Sequence, residues 1–260
     1  EDIESMNGQF LLSMTTSAHN FTDPLCYQDT EPRLDRYVKL PNKGIWKLQN
    51  VIVNSEFQIL KDETYILHDK SSDPRNGFVA GHWQTTDYVK NTGYAMMYED
   101  NNQSKNVDTA ALISGRCTKN YFHWLIEYVP KIIRLADSKI KIDYILIGSD
   151  MPRQHYEFLN FLCRKYDFKY MEIGPQTNLK INTLYVPSQM TYIPDDPKYE
   201  YWESGGLYEP DLQSIADLAT EMKKAAGLTQ NEENFDKVYI TRKNVRSRSI
   251  TNEDDVERLL

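Results

Sequence analysis

The chain has 260 residues, 40% of them hydrophobic, which is enough to bury the core of one large domain or two modest ones. Its formal net charge of −8 argues against nucleic acid as a partner, because phosphate backbones bind basic proteins. Three cysteines without a Cys-x-x-Cys spacing argue against a disulfide scaffold or a zinc site, and no apolar run is long enough for an integral membrane segment.

The N-terminal region, residues 1–108, predicts short strands and loops. Brief apolar runs, such as 51–53 and 65–67, are separated by clusters of Asn, Asp, Gly and Pro. No long helical period occurs among them. We therefore expect a β-rich region before the rest of the fold.

From residue 109 the pattern alternates between strands and helices, and it predicts a Rossmann-like lobe over residues 109–210. The predicted elements are strands at 110–113, 144–147, 169–173 and 183–186 and helices at 120–136 and 152–166. Alternation of this kind predicts a parallel sheet with helices on both faces. The Pro-, Asp- and Gly-rich stretch 187–210 is long for a loop, which indicates a functional loop or an interdomain crossing.

The C-terminal part predicts a connecting segment, 211–235, and the start of a second lobe, 236–260. A helix at 211–226, which Gly227 ends, opens the connecting segment. A strand at 237–241 then leads into a basic block. Thr251 or Asn252 is expected to cap a last helix, whose acidic first turn suits the helix dipole.

One candidate site lies on the helix predicted at 120–136. His123 and Glu127 are four residues apart, so they share one helix face among large apolar residues. Such polar groups are costly to bury without partners. An imidazole near neutral pH suits proton abstraction, with Glu127 orienting it or itself acting as the base. From the spacing alone, a structural histidine bonded to the sheet is the alternative. Asn120 is expected at the rim where α/β folds bind ligands.

A second candidate site is the basic block after the last predicted strand. Its members are Arg242, Lys243, Arg246 and Arg248, with Asn252 and Glu253 at the start of the next helix. A guanidinium fork can pair two phosphate oxygens, so the block suits a diphosphate. No Asp-x-Asp motif is present to hold a metal, which predicts metal independence. The alternative is a solvated cationic turn paired with the acidic residues 253–255.

These two segments resemble glycosyltransferase family 61. Residues 120–127, followed by Pro130 and Lys131, are similar to the family's Asn-Tyr-(Tyr/Phe)-His-Trp signature, and residues 238–253 look like its second, basic signature. That family includes capsular-polysaccharide enzymes of bacteria and secretory-pathway xylosyl- and N-acetylglucosaminyltransferases. The resemblance extends from about residue 110 to residue 260 and does not reach the N-terminal region.

The resemblance implies an α/β, two-lobed Rossmann-like glycosyltransferase of the GT-B type. Its second lobe is expected to be truncated, since the family's glycine-rich motif beyond the basic block is absent. The implied reaction is an inverting transfer from a nucleoside-diphosphate sugar, UDP-linked, to a glycan or glycoprotein hydroxyl. No cofactor besides the donor substrate is implied. A bacterial cytoplasmic, membrane-peripheral site and a secretory lumen both fit.

Two other functions remain open from the sequence. A non-catalytic carbohydrate-binding or scaffold domain could retain the fold, and the expected truncation favours it. A retaining glycosidase could use Glu127 with an aspartate, but the sequence does not place a second carboxylate at a defined separation from it. The glycosidase would also leave the basic block unexplained.

Overall fold

The structure is a computed structural model. It describes residues 8–11, 18–22, 35–39, 44–62, 64–66, 86–89, 94–97, 104–115, 117–175, 177–189, 191, 212–225, 227, 241 and 251–259. The chain divides into two compact units, Glu1–Glu221 and Met222–Leu260. We describe each unit by itself.

The first unit is built on an eight-stranded mixed sheet, which confirms the α/β class. Its strands are β1 (Gln9–Phe10), β4 (Ile45–Asn54), β5 (Ile59–Lys61), β6 (Thr64–Ile66), β9 (Lys105–Leu112), β10 (Tyr144–Gly148), β11 (Tyr170–Ile173) and β12 (Asn178–Pro187). The order is β11-β10-β9-β12-β4-β5-β6, and β1 also pairs with β4. Two separate hairpins pair β2 (Ala18–Thr22) with β3 (Asp35–Lys39) and β7 (Thr86–Val89) with β8 (Tyr94–Met97).

The helices follow the strands of the parallel half. They are α1 (Tyr121–His123), a π-helical turn (Trp124–Tyr128), α2 (Val129–Ser138), α3 (Arg153–Tyr166) and α4 (Leu212–Ala225). The strands and helices predicted between residues 110 and 226 are confirmed to within a few residues, except that β9 and β12 begin about five residues earlier than predicted. The strand predicted at 237–241 lies outside the described residues apart from Thr241.

The sheet joins the N-terminal region to the α/β region. Strand β12 pairs parallel with β9 on one side and antiparallel with β4 on the other, from Asn178 opposite Asn54 to Pro187 opposite Ile45. Strand β9 itself crosses the boundary predicted between residues 108 and 109. Strands from both predicted regions therefore share one sheet.

The two faces of the sheet are covered differently. One face carries a buried apolar cluster drawn from both halves of the sheet, including Leu112, Leu146, Val53 and Ile59. The described helices of this unit form a contiguous layer, because α2 contacts α3. Helix α4 contacts α2 through Asp217 and Arg134, and it contacts α3 through Glu221 and Tyr166. Helices on both faces were predicted, whereas the described helices of this unit belong to one layer, and the buried cluster is built from strand residues.

The second unit contributes one described helix, α5 (Glu253–Leu259). Backbone N–H groups of Asp255 and Val256 donate to the carbonyl of Asn252, so the predicted cap position starts this helix. Within the described part of the chain, no helix is both long enough and apolar enough to cross a membrane.

Candidate active site at the carboxyl ends of β9 and β12

The candidate site lies where the carboxyl ends of β9 and β12 are neighbours. These two strands pair in parallel, and β10 lies on the other side of β9. Ligands of open α/β sheets bind outside the carboxyl ends of the strands.

The turn after β9 fixes the start of the helix. The Ser114 hydroxyl accepts a hydrogen bond from the Gly148 N–H at 3.0 Å, which ties the ends of β9 and β10 together. The Thr118 hydroxyl contacts both backbone polar groups of Gly115. Asn120 then caps the helix, because its side-chain oxygen accepts from the Phe122 N–H at 3.0 Å. Capping therefore occupies the side-chain oxygen of Asn120.

A π-helical turn interrupts the helix that carries the site. The Val129 N–H donates to the carbonyl of Trp124, five residues earlier, instead of four. Pro130 follows at once, and it lacks an N–H and would clash with the carbonyl of Ile126 in a regular helix. Widening the preceding turn relieves this clash. Turns of this kind are frequent at functional sites.

His123 and Glu127 form a hydrogen-bonded pair across this turn. His123 Nδ1 lies 2.5 Å from Glu127 Oε1. The Glu127 carboxylate is fully buried, whereas the His123 side chain keeps 17% of its surface exposed. The pair therefore has one end inside the protein and one end at the surface.

Gln189 holds the buried end of this pair. It follows the end of β12, is itself buried, and its amide Nε2 donates to Glu127 Oε2 at 2.7 Å. Burying a carboxylate costs several kcal/mol unless hydrogen bonds replace the lost water. Glu127 receives such bonds on both oxygens, one from its own helix and one from the end of β12. The contact joins the helix after β9 to the segment after β12.

The contact with Glu127 assigns the histidine tautomer. An ionised carboxylate only accepts hydrogen bonds, so His123 Nδ1 carries the proton that lies between them. The lone pair is then on Nε2, the ring nitrogen turned away from Glu127. A carboxylate behind an imidazole also stabilises the imidazolium that forms when Nε2 takes a proton. The arrangement is that of a general base with an orienting carboxylate.

Two exposed aromatic residues lie beside His123. Tyr121 is 51% exposed and Phe122 is 57% exposed, although both belong to the largest hydrophobic side-chain types. The Phe122 ring meets the His123 ring edge to face, with centroids 5.6 Å apart. Trp124 and Tyr128, on the same helical stretch, are fully buried. The surface around the histidine is therefore apolar and open to a ligand.

The remaining predicted residues divide between the two units. Asn120, His123 and Glu127 come together in the first unit, whereas Asn252 and Glu253 belong to the second. Glu253 is buried and its Oε1 accepts from the Thr241 hydroxyl at 2.8 Å, so it supports the start of α5. The basic residues predicted to bind phosphate lie outside the described residues: Arg242, Lys243, Arg246 and Arg248.

Two residues of the site were not predicted from the sequence. Gln189 lies 62 residues from Glu127, at the start of the stretch predicted as a functional loop or an interdomain crossing. His155, on α3, stacks against Tyr121 and Trp124. An alternating α/β pattern places the first turn of α3 beside the first turn of the preceding helix. That neighbourhood was the only available hint of His155.

No cluster in the described ranges is suited to a metal. None contains three or more His, Cys, Asp or Glu side chains close enough to hold an ion. A surface depression of about 620 Å³ lies on α3 and β11, lined among others by Glu157, Cys163 and Tyr170. It contains none of the predicted site residues, so the candidate site remains the one at the carboxyl ends of β9 and β12.

A scan against protein-family models, a search of curated proteins and a search of solved structures each gave no match to this chain.

Proposed function

We propose that this protein is an inverting, metal-independent glycosyltransferase. It moves a sugar from a nucleoside-diphosphate donor, UDP-linked, to a hydroxyl of a glycan or glycoprotein. The observation that carries this proposal is the chain of contacts from Gln189 through buried Glu127 to the partly exposed His123. It supplies a general base at the carboxyl ends of β9 and β12, where an acceptor hydroxyl can reach it.

The proposed step uses the two ends of the pair differently. His123 Nε2 takes the proton of the acceptor hydroxyl as its oxygen attacks the anomeric carbon of the donor. The bond from that carbon to the diphosphate breaks, and the nucleoside diphosphate leaves with the electron pair. Glu127 keeps the imidazole oriented and stabilises the imidazolium. Positioned bases of this kind contribute about 10²–10⁴-fold to a rate.

Charge neutralisation of the leaving diphosphate falls to the basic block. Arg242, Arg246 and Arg248 provide planar forks that pair phosphate oxygens, and Lys243 adds a further positive charge. Asn252, which belongs to the same signature, lies directly before α5. What supports this part is the resemblance of residues 238–253 to the basic signature of glycosyltransferase family 61.

The exposed pair Tyr121 and Phe122 supports a carbohydrate acceptor. A pyranose ring presents an apolar face of C–H groups that stacks on aromatic rings, while its hydroxyls stay hydrated at the edges. Binding sites are commonly lined by aromatic side chains with a few placed polar groups. His123 is that polar group here, next to Phe122 in the chain and in ring contact with it.

The test combines donor binding with turnover in the full chain. UDP is titrated calorimetrically into the wild type and into an Arg242→Ala/Arg246→Ala variant, each with and without EDTA. UDP release from UDP-sugars is then followed with a panel of glycan acceptors. We expect binding that survives EDTA and is lost in the double variant. In His123→Ala, we expect turnover to fall at least about 10²-fold with UDP affinity unchanged.

A matched control is Glu157→Gln, because Glu157 is exposed and pairs only with Arg153 on its own helix among the contacts described. It should leave UDP binding and turnover unchanged. UDP binding that requires a divalent cation, or full turnover by His123→Ala, would contradict the proposal.

A second candidate is a non-catalytic carbohydrate-binding domain. The exposure of Tyr121 and Phe122 favours it, because such domains present aromatic platforms to sugars. Glycan binding that is lost in Tyr121→Ala/Phe122→Ala but retained in His123→Ala, without any turnover of UDP-sugars, would favour this candidate over the transferase.

A further inference from the structure

His155 occupies an unusual position for a histidine. It lies in the first turn of α3 and is completely buried. Its ring stacks on Trp124 with centroids 5.4 Å apart and on Tyr121 with centroids 5.7 Å apart. Trp124 also stacks on Tyr128 at 6.5 Å. The imidazole therefore joins α3 to the two residues that lie on either side of His123 and Phe122 in the chain.

Hydrogen bonding does not explain why a histidine occupies position 155. Among the described residues, neither His155 ring nitrogen has a hydrogen-bond partner, and the Trp124 indole N–H has none either. An unsatisfied buried polar group destabilises the folded state. A phenylalanine would fill the same space between two aromatic rings without this cost. Packing alone therefore favours a different residue at position 155.

Burial decides the charge state of His155. A cation next to aromatic rings gains some cation–π attraction. Burying an ion costs more than this attraction returns, and the positive end of the α3 dipole adds to that cost. Desolvation therefore wins, and burial lowers the pKa of His155 below its ordinary value. The ring is neutral while it lies in the stack.

Among the described residues, no charged group is hydrogen-bonded to the His155 ring. The titratable and charged side chains on the described elements around His155 are Tyr121 on α1, His123, Glu127 and Tyr128 on the π-helical turn, Lys131 on α2, and Arg153, Tyr156 and Glu157 on α3. Of these, only Tyr121 stacks directly on the imidazole, and no carboxylate is hydrogen-bonded to it. The Glu127 carboxylate is bound to His123 and Gln189 instead.

We propose that His155 is a positioning residue that, when neutral, clamps Tyr121 and Trp124 and so fixes His123, and that releases them when acid protonates it. A protonated ring must leave the stack to reach water, and the first turn of the site helix then loses its support. The assembled site exists only above the pH at which the ring charges. The effect on catalysis rests on the proposed function, whereas the clamp itself does not.

The first test measures the clamp without any substrate. Histidine ring signals of the full chain, labelled with ¹³C, are followed by NMR from pH 8 to pH 5, and His155→Phe assigns one of the five histidines. We expect His155 to titrate below pH 6.5 and near-ultraviolet circular dichroism from the aromatic stack to fade over the same range. In His155→Phe, the stack remains and the fading disappears. An ordinary titration of His155, or equal fading in the variant, overturns the proposal.

Stability gives a second readout, and its sign follows from linkage. The unfolded chain binds a proton at His155 near pH 6.5 while the folded chain does not, so acid favours unfolding. From pH 7.5 to pH 5.5, the folding equilibrium constant of the wild type should therefore fall more than that of His155→Phe, by at most about tenfold. The comparison concerns pH dependence, so a constant difference in stability between the two proteins does not affect it.

Activity supplies the third readout. Between pH 7.5 and pH 5.5, turnover should fall less in His155→Phe than in the wild type, whereas His155→Ala should lower turnover at both pH values because the stack is lost. If turnover falls equally between pH 7.5 and pH 5.5 in the wild type and in His155→Phe, a role of His155 in the site is contradicted. If no UDP-sugar turns over at all, the proposed function fails, while the NMR and stability measurements still decide the clamp.

Discussion

Glu127 is the side chain on which the candidate site depends. Its two oxygens hold His123 and Gln189, so a neutral amide in its place keeps the size but loses the charge that makes both contacts strong. In Glu127→Gln we expect turnover to fall at least about 10²-fold, since the imidazolium loses its carboxylate partner and the imidazole tautomer is no longer fixed. UDP-release kinetics measure this loss. Unchanged kinetics in Glu127→Gln would show that the pair is structural.

The described cysteines differ in the environment of their thiols. Burial raises the pKa of Cys163 to about 11, whereas Cys117 is exposed. Only about one Cys163 in a thousand is a thiolate at pH 8, and the thiolate is the reactive form. We expect iodoacetamide at pH 8 to modify Cys117 within minutes and Cys163 only after denaturation, as peptide mass spectrometry can measure. Rapid modification of Cys163 in the folded protein would contradict its burial.

Residues predicted from the sequence were those whose partners are local. Asn120, His123 and Glu127 share one helical stretch, so spacing alone brings them together. Gln189 and His155 reach the same place through the sheet and through α3, and their contacts depend on strand order. The basic block stays a prediction, because Arg242 and its neighbours lie outside the described residues.

At the scale of elements, the π-helical turn is the feature with the clearest sequence cause. A regular helix was predicted across residues 120–136, and Pro130 within it was the signal that the helix could not be regular. The widened turn accepts the proline ring, and it also sets the direction from which His123 meets Glu127. A local rule is thus broken where the candidate chemistry lies, as happens at functional sites.

Replacing the proline tests whether the turn serves the site. Pro130→Ala restores an N–H that can donate to Ile126, so a regular helix becomes available to this segment. We expect the free energy of unfolding to stay within about 1 kcal/mol of the wild type or to rise, while turnover falls because His123 is turned away. Urea unfolding and UDP-release kinetics measure the two effects. Unchanged turnover would mean that the helix keeps its turn without the proline.

Strands differ in how far their partners lie along the chain. The helix–strand alternation after residue 109 predicted β9, β10, β11 and α3, because each is joined to its neighbour by a short connection. Strand β4 could not be assigned to the same sheet, since the residues it pairs with begin at Asn178. Apolar runs in a loop-rich region do not carry that information.

At the scale of the whole unit, strand register requires a strongly curled sheet. Ile173 at the end of β11 pairs with Gly148 of β10. Leu179 of β12 pairs with Lys105 of β9, so Asn178 lies one position before Lys105 in the register. On a flat sheet, Ile173 and Asn178 would therefore be about ten residues, or about 33 Å, apart along the strand direction. The link from 173 to 178 spans at most about 18 Å. The sheet must therefore bring the two ends together.

The central strands show where the sheet bends. Along each strand, buried and more exposed residues alternate, and this alternation is interrupted at neighbouring positions of β9, β12 and β4. The interruptions are at Asp108–Thr109, Asn182–Thr183 and Gln49–Asn50. Asn50 has a φ of 53°, the left-handed conformation found at bulges that bend strands. The turn after β4 is thereby carried over the end of β10, where Phe57 approaches Gly148.

The contact between Phe57 and Gly148 allows the curled sheet to be tested in solution. A Cβ added at Gly148 would lie 2.8 Å from the tip of the Phe57 ring, so Gly148→Ala should destabilise the protein by about 1–3 kcal/mol. Leucine at position 57 is shorter. In a Phe57→Leu background, the same alanine should be neutral or stabilise by up to about 1 kcal/mol, because it restricts the unfolded chain. Urea unfolding of the wild type, the two single variants and the double variant gives the coupling energy between positions 57 and 148. Residues in contact have coupling energies of about 0.5–3 kcal/mol. Additive effects would mean that the turn after β4 does not lie over β10, and the sheet would then need another way to join β11 to β12.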